Sequence, residues 1–280
     1  MSRRRRRRRG RGRRLALPPA LFFVTLVALL LARRLTPTRH RAAGPGEPAG
    51  GAGTAAGRPD DPRAVPIATP PATAAGDRAL LDALASDPRV TLRRTRVARV
   101  VDGDTVIAGD GARIRLVGID SPEHDAPLFR AAREATRALV EGRRVTLAAQ
   151  RAGGEDRHGR LLAVLFTGRD TGGRREDAGE AVLCINIELV RRGLARVYLK
   201  EPGALSAALE PDLVEAQNGA IDRRAGMWSS PGALAPGRVV ATRHRFHRPG
   251  CRHIGGRRGP LVDREKCLRE GKSPCRTCMP

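Results

Sequence analysis

The sequence predicts an α+β protein whose central domain combines five β-strands with three helices. Two observations predict this class. Five short segments are rich in apolar and β-branched residues, some of them alternating with polar residues, and apolar residues recur at helical spacing in three longer segments. Five short strands and three helices within residues 91–230 fit a small Greek-key barrel of the OB type. One further helix is expected before this domain, and a small module is expected after it.

The five predicted strands follow these apolar segments in chain order. Asp102-Gly103 is the predicted turn between the first two strands, because an Asp-Gly pair is typical of tight hairpins. A second glycine-containing turn, residues 109–111, separates the second strand from the third. The predicted strands are residues 96–101, 105–108, 112–117, 144–149 and 161–166.

The three helices of the domain are predicted at residues 127–141, 182–192 and 205–221. Pro127 suits the first turn of the first helix, and Gly193 suits the end of the second. A short additional helix is expected at residues 77–86. The polar segment 167–181, before the second helix, is predicted to be a solvated loop.

Charge is distributed very unevenly along the chain. The protein has 280 residues, with 53 basic and 29 acidic side chains and a net charge of +24. Residues 91–230 carry 23 basic and 20 acidic side chains, or +3, whereas residues 231–280 carry 12 and 3, or +9. The first 41 residues contain fourteen arginines and no acid. The central domain is therefore nearly balanced and lies between two basic tails.

An uncharged apolar segment at residues 15–32 predicts a transmembrane helix. Its eighteen residues would span roughly 27 Å as a helix, about the thickness of a hydrocarbon core. Ten arginines precede it and four follow it closely, so residues 1–14 are expected in the cytoplasm and the rest of the chain outside. The alternative is a cleaved signal peptide and a secreted protein. An uncleaved anchor is favoured because Leu30-Leu31-Ala32 lacks the small residue that opens a typical cleavage site.

Composition divides the remaining chain into four parts. Residues 33–90 are rich in proline, glycine and alanine, and this composition predicts a disordered linker. The domain at 91–230 follows it. A basic linker is expected at 231–245 and a small folded module at 246–280.

Carboxylates and arginines concentrate in three motifs of the central domain. VDGDTV contains Asp104, RLVGIDSPE contains Arg115, Asp120 and Glu123, and DRHGR contains Arg160. Carboxylate oxygens suit a hard cation, and fixed guanidinium groups suit a phosphate. Together these residue types predict a site for phosphodiester hydrolysis.

These motifs, followed by INIELVRRGLARV, resemble the staphylococcal (micrococcal) nuclease and thermonuclease family over residues 96–228. The resemblance implies an OB barrel with three helices and a calcium-dependent nuclease. It implies that calcium is bound by Asp104, Asp120 and the backbone carbonyl of Ser121. It also implies that Glu123 is the general base that activates water.

The same resemblance assigns the substrate contacts. Arg115 and Arg160 would bind the phosphate, and His158 and Tyr198 would contact the nucleic acid at positions where the best-known member has tyrosines. DNA, RNA or both are the expected partners of a monomer. The alternative is a membrane-tethered nucleic-acid-binding module without catalysis. A binder has no need for all five charged site residues together, so their joint presence favours an enzyme.

The C-terminal tail contains four candidate ligands for zinc. His247 and Cys251 form one close pair, and Cys275 and Cys278 form the other, which is the spacing of a tetrahedral zinc site. The Pro-Cys-x-x-Cys-x-Pro ending also resembles the Ada-type zinc-binding domain. His247 stands at that pattern's first cysteine, so its methyl-acceptor chemistry is not expected. Outside the cell the four tail cysteines could instead form two disulfides, and Cys267 would then need a partner.

Overall fold

The computed structural model describes residues 74–168, 181–200, 203–254 and 259–279. All of them belong to one compact unit of the chain. The strands are β1 (Val90–Val100), β2 (Thr105–Ala108), β3 (Arg113–Leu116), β4 (Ile119–Asp120), β5 (Arg144–Gln150), β6 (Leu161–Thr167), β7 (Leu183–Cys184), β8 (Arg196–Val197), β9 (Arg238–Ala241), β10 (Arg245–His247), β11 (Leu261–Asp263) and β12 (Ser273–Pro274).

Five of these strands close into a barrel. Strand β1 pairs antiparallel with β2 and β5, β2 pairs with β3, and β5 pairs with β6. The barrel closes because β3 also pairs with β6, in parallel. This confirms the predicted five-stranded barrel. Its largest fully buried side chains include Ile114, Leu116, Leu147, Leu165 and Phe166.

Strand β1 begins six residues earlier than the prediction at residue 96. Its first half pairs with β5, from Val90 opposite Gln150 to Arg96 opposite Arg144. Its second half pairs with β2, after a shift in register between Val97 and Arg99. The side chains of residues 91–94 are all exposed. The expected apolar alternation is therefore absent, although the backbone is fully paired.

The helices are α1 (Ala74–Ser86), α2 (Phe129–Val140), α3 (Ile185–Arg191), α4 (Ala204–Asp222) and α5 (Arg264–Arg269). Helices α2, α3 and α4 are the three that the sequence predicts. Helix α3 is shorter than expected at its start, because Cys184 pairs with Phe166 at the end of β6. The Cys184 backbone N–H also donates to Asp77, at 2.8 Å. Most of the predicted loop at 167–181 lies outside the described residues.

Helix α1 belongs to the folded domain rather than to the preceding linker. Leu80, Leu81 and Leu84 on this helix are buried in the barrel core. The domain therefore includes residues 74–90, which the composition assigned to the linker. No helix within the described residues is long and apolar enough to cross a bilayer, and the predicted span at 15–32 lies outside those residues.

The C-terminal part forms a four-stranded sheet in the order β11-β9-β10-β12. Strand β9 lies within residues 231–245, which were predicted to be a linker, so the C-terminal module begins earlier than residue 246. The module also shares a hydrophobic cluster with the end of the central domain. The buried members of this cluster are Ala220, Ile221, Trp228, Val239, Phe246, Cys267 and Leu268.

Polar contacts strengthen this junction. Gln217 on α4 donates to the Leu268 carbonyl, and Asn218 donates to the Arg269 carbonyl at 3.2 Å. The Gln217 side-chain oxygen Oε1 accepts a hydrogen bond from the Val197 backbone N–H at 2.8 Å. The C-terminal module is thus docked on the domain by apolar and polar contacts, which places it next to the carboxylate motifs.

Candidate active site

The hairpin between β1 and β2 positions the first carboxylate. The Val101 backbone N–H donates to the Thr105 backbone carbonyl at 2.9 Å, and the Asp104 backbone N–H donates to the Asp102 carboxylate at 3.0 Å. Gly103 between them packs against Ser121 so closely that a Cβ at this position would lie 2.6 Å from the Ser121 Cβ. The predicted Asp-Gly turn is confirmed, and a side chain on Gly103 would push the hairpin away from Ser121.

Arg115 joins the two carboxylates of the site. Its Nη1 lies 2.9 Å from Asp104 Oδ1, and its Nη2 lies 3.7 Å from Asp120 Oδ1. Strand register explains this contact, since Arg115 is the cross-strand partner of Thr105, directly after Asp104. All three side chains are 11% exposed or less. One guanidinium therefore holds two buried carboxylates side by side.

Burial raises the pKa of Asp104 to about 6, and the neighbouring Asp102 charge also raises it. The attraction of Arg115 and a hydrogen bond from the Ser121 backbone N–H oppose this shift. That hydrogen bond is 2.7 Å long and ends on Asp104 Oδ2. The Asp104 carboxylate is therefore incompletely compensated by its protein neighbours, which is the condition in which a bound cation is favourable.

Arg160 is held by a residue that the sequence did not single out. Its Nε lies 2.7 Å and its Nη2 lies 2.6 Å from Asp156 Oδ2, and its backbone N–H donates to Asp156 Oδ1 at 3.0 Å. Burial raises the pKa of Asp156, but the hydrogen bonds from Arg160 and His158 outweigh it and lower the value to about 2. Asp156 thus stays ionised and orients Arg160. The sequence motifs assign it no role, although its position four residues before Arg160 is a usable signal.

The predicted site residues line one open cleft of about 750 Å³. Glu123 reaches into it with a side chain that is 84% exposed, so solvent water can reach this carboxylate. His158 is exposed, and its Nε2 lies 3.0 Å from Arg157 Nε. The predicted residues that the cleft brings together are Asp104, Arg115, Asp120, Ser121, Glu123, His158, Arg160 and Tyr198.

Tyr198 is less accessible than its predicted role requires. Only 7% of it is exposed, because the guanidinium groups of Arg245 and Arg276 lie 5.4 and 5.2 Å from its ring centre. Its hydroxyl accepts a hydrogen bond from Arg245 at 2.7 Å. A base could stack on this ring only after one of these arginines moved. The role of Tyr198 in substrate binding stays a prediction.

Two arginines contact Asp120 that the sequence did not assign to the site. Arg196 is its cross-strand partner between β4 and β8, and its Nη2 lies 2.8 Å from Asp120 Oδ2. Arg276, from the C-terminal tail, contacts Asp120 Oδ1 through its Nη2. The short strands β4 and β8 and the docking of the tail create these contacts. Neither has a local sequence signal.

Comparison with known proteins gives the same domain. A model of the family described as staphylococcal nuclease homologue matches residues 113–230. An uncharacterized endonuclease of Escherichia coli O157:H7 is 32% identical over 144 residues, which cover 50% of this chain and 80% of that protein. The chain belongs to the staphylococcal nuclease family. The chain is also similar to a thermonuclease of Staphylococcus intermedius, 30% identical over 141 residues (47% of this chain, 74% of that protein), and to Protein ParB of Escherichia coli, 29% identical over 146 residues (51% and 76%).

The family match ends at residue 230, so it does not include the C-terminal module. The resemblance of this module to the Ada-type zinc-binding domain stays a prediction. Within the nuclease family domain, the donor set around Arg115 fits a hard cation such as calcium. Asp104 and Asp120 supply buried carboxylate oxygens, and Asp104 is incompletely compensated. A cation on Asp120 Oδ1 would have to displace Arg276 or share this oxygen with it.

The C-terminal tail brings the four predicted zinc ligands together. The ligand atoms of His247, Cys251, Cys275 and Cys278 all lie within 4.8 Å of one another. His247 is buried, and its Nδ1 has no hydrogen-bond partner among the described residues. A buried ring nitrogen without a partner is costly, and a metal ion would satisfy it. No disulfide links any of the five cysteines, all of which are described.

The electrostatics of this group also suit a metal. Burial raises the pKa of Cys275, but hydrogen bonds from the backbone of Cys278 and Thr277 outweigh it and lower the value to about 7. Burial lowers the pKa of His247, which keeps the ring neutral. Burial raises the pKa of Cys278, and the neighbouring Cys251 and Cys275 raise it further, whereas the Arg248 backbone N–H, which donates to Cys278 Sγ at 3.2 Å, lowers it. Cys184 and Cys267 lie apart from this group, buried in the two hydrophobic clusters.

Proposed function

We propose that the protein is a calcium-dependent nuclease that hydrolyses phosphodiester bonds in DNA and RNA. The observation that supports this most strongly is the Arg115 guanidinium between two buried carboxylates, in a cleft that Arg160 and Glu123 also line. Calcium held by Asp104, Asp120 and the Ser121 carbonyl would supply a Lewis acid for a phosphoryl oxygen. The names of the relatives, an endonuclease and a thermonuclease, support the same class of reaction.

In the proposed reaction the protein's own residues bind phosphate and move one proton. Arg115 and Arg160 donate hydrogen bonds to the non-bridging oxygens, where negative charge grows as phosphorus becomes five-coordinate. Glu123 accepts the proton of the attacking water. The water oxygen forms a bond to phosphorus, the bond to one ester oxygen breaks, and that oxygen leaves with the electron pair and is protonated. Asp156 keeps Arg160 in place without contacting the substrate.

Cleavage should require calcium. The purified full chain is expected to cut end-labelled DNA and RNA when calcium is present and to lose this activity in excess chelator, because Asp104 and Asp120 offer only oxygen ligands. Restoring calcium should restore cleavage. Undiminished cleavage in chelator would refute the calcium assignment. Tight nucleic-acid binding in calcium without any cleavage would favour the binding module instead.

We also propose that the C-terminal module holds one structural zinc ion through His247, Cys251, Cys275 and Cys278. The four convergent ligand atoms and the unpartnered His247 Nδ1 support it. Three sulfur atoms and one imidazole nitrogen form a closed tetrahedral set for zinc. Such an ion would fix the tail sheet on the nuclease domain and would not take part in hydrolysis.

Residues 15–32 are proposed to anchor the protein in a membrane, with the nuclease domain outside the cytoplasm. The uncharged apolar segment between two arginine clusters supports this proposal. The intact protein should then sediment with membranes, and protease added from outside should remove the nuclease domain. A soluble mature protein that begins after residue 32 would show instead that the segment is a cleaved signal.

A further inference from the structure

One residue connects the metal-ligand group of the tail with the nuclease cleft. Arg276 lies between Cys275 and Cys278, two of the four ligands, and its side chain lines the cleft. Its Nη2 contacts Asp120 and lies 3.8 Å from Glu123 Oε1. The turn that carries Cys275 and Cys278 therefore also places the Arg276 guanidinium beside Asp120, a predicted calcium ligand, and Glu123, the predicted base.

The backbone around Arg276 is fixed by the module itself. The Cys275 N–H donates to the Phe246 carbonyl at 2.9 Å, and the Met279 N–H donates to the Cys275 carbonyl at 2.9 Å. The guanidinium lies over the Tyr198 ring, whose hydroxyl is held by Arg245. The position of Arg276 thus depends on the fold of the tail sheet and on the ligand group within it.

The Arg276 side chain lines the cleft, and its described ion pairs use only part of the guanidinium. Both described ion pairs of Arg276 are made by Nη2 alone, and half of its side chain is exposed (50%). Arginine has five N–H donors in a planar fork that matches phosphate oxygens. Arg276 and Arg115 also converge on the same atom, Asp120 Oδ1. Two guanidiniums that share one carboxylate oxygen are close enough to share one phosphate.

We propose that Arg276 is a third guanidinium that binds the substrate phosphate, and that the metal ion of the tail holds it there. The proposal rests on the proposed nuclease function of the cleft. It assigns to the C-terminal module, which lies outside the family domain, a direct part in substrate binding. Metal occupancy at the four-ligand group would then set the affinity for nucleic acid.

Binding without cleavage tests this proposal separately from catalysis. In the full chain carrying Glu123→Gln, a labelled single-stranded oligodeoxynucleotide is titrated in calcium, with and without Arg276→Ala. For Arg276→Ala we expect the dissociation constant to rise roughly 10-fold. A plot of the logarithm of this constant against the logarithm of salt concentration should also become less steep by about 0.7, which is the value for one lost phosphate contact on a single strand. Arg276→Lys should recover part of the affinity. The matched control is Arg252→Ala, an exposed arginine of the same module that does not line the cleft.

The dependence on the tail metal is tested by a double-mutant cycle. Cys278→Ser should release the metal and weaken binding about as much as Arg276→Ala, roughly 10-fold, and combining them should weaken it little further. Independent, additive losses would contradict the link between metal and arginine. Unchanged binding and salt slope in Arg276→Ala would overturn the phosphate contact. Tighter calcium binding with unchanged oligonucleotide binding would assign Arg276 to the calcium carboxylates instead.

These outcomes are distinct from failure of the nuclease proposal. If the wild-type chain with calcium leaves DNA intact, hydrolysis is wrong, yet the binding measurements still decide whether Arg276 contacts phosphate. If the wild type cleaves and Arg276→Ala binds as tightly as its Arg252→Ala control, only the inference about Arg276 fails.

Discussion

Replacing Glu123 by glutamine is expected to reduce the turnover number roughly 100- to 10,000-fold, because the amide cannot accept the proton of the attacking water. The fold should be unaffected, since the Glu123 side chain is 84% exposed and contacts only Arg276 among the described ion pairs. Turnover of purified full-length protein on DNA in saturating calcium measures the effect. Asp125→Asn is the matched control, because this carboxylate is fully exposed two residues away and His124 is its one partner among the described ion pairs.

Arg160→Ala should have a comparable effect on turnover, roughly 100-fold or more, through loss of a phosphate donor. Asp156→Asn should produce a smaller loss in the same direction, because it loosens the orientation of Arg160. Arg115→Ala would separate the effect on catalysis from the effect on folding less clearly. Its removal would leave Asp104 and Asp120 buried without their shared partner, so lost stability would accompany lost activity. A folded Arg160→Ala protein with full turnover would show that the phosphate site is wrongly placed.

Removal of the tail metal is the second large expected effect. His247→Ala or Cys275→Ser should abolish the single equivalent of zinc in the purified full chain and unfold the sheet of β9 to β12. Structural zinc supplies apparent binding free energies of about 10–16 kcal/mol to small zinc modules, and the apolar cluster of this module is small. Elemental analysis and proteolysis of the tail measure the two consequences.

Cys267→Ala provides the control for this experiment. Its thiol is buried in the hydrophobic cluster and does not belong to the ligand group, so the variant should keep its zinc. Absence of zinc from the wild-type protein, together with mass spectrometry that finds the tail cysteines paired as disulfides, would contradict the metal assignment. The nuclease assignment would stand, because Asp104 to Arg160 include none of these cysteines.

The sequence was sufficient to predict the barrel strands that are rich in buried apolar residues. Strands β2, β3, β5 and β6 place apolar side chains in the core and appear at the predicted residues. The first half of β1 could not be predicted, because its residues 91–94 all face solvent and only backbone pairing defines the strand. Helix α1 confirms the helix predicted at residues 77–86, but it was placed in the linker because the composition around it masks three buried leucines.

The site was predictable in so far as its residues lie in local motifs. Asp104 and Arg115 meet because strands β2 and β3 are neighbours, Asp120 follows Arg115 by five residues, and the motifs named all three. Arg196 and Arg276 were missed for a physical reason. They reach Asp120 from 76 and 156 residues away, through a two-residue strand pair and a docked module. Contacts of this range depend on tertiary packing, and spacing along the chain does not encode them.

The initial rate of DNA cleavage in calcium, measured side by side for the wild-type full chain and Glu123→Gln, tests the central claim most directly. Both proteins pass through the same purification, so a contaminating nuclease would cleave equally in both samples. The proposed site predicts rapid cleavage by the wild type and a rate lower by roughly 100-fold or more for Glu123→Gln, with calcium required in each case. Equal rates in the two samples, or no cleavage by a wild-type protein that binds both calcium and DNA, would contradict it.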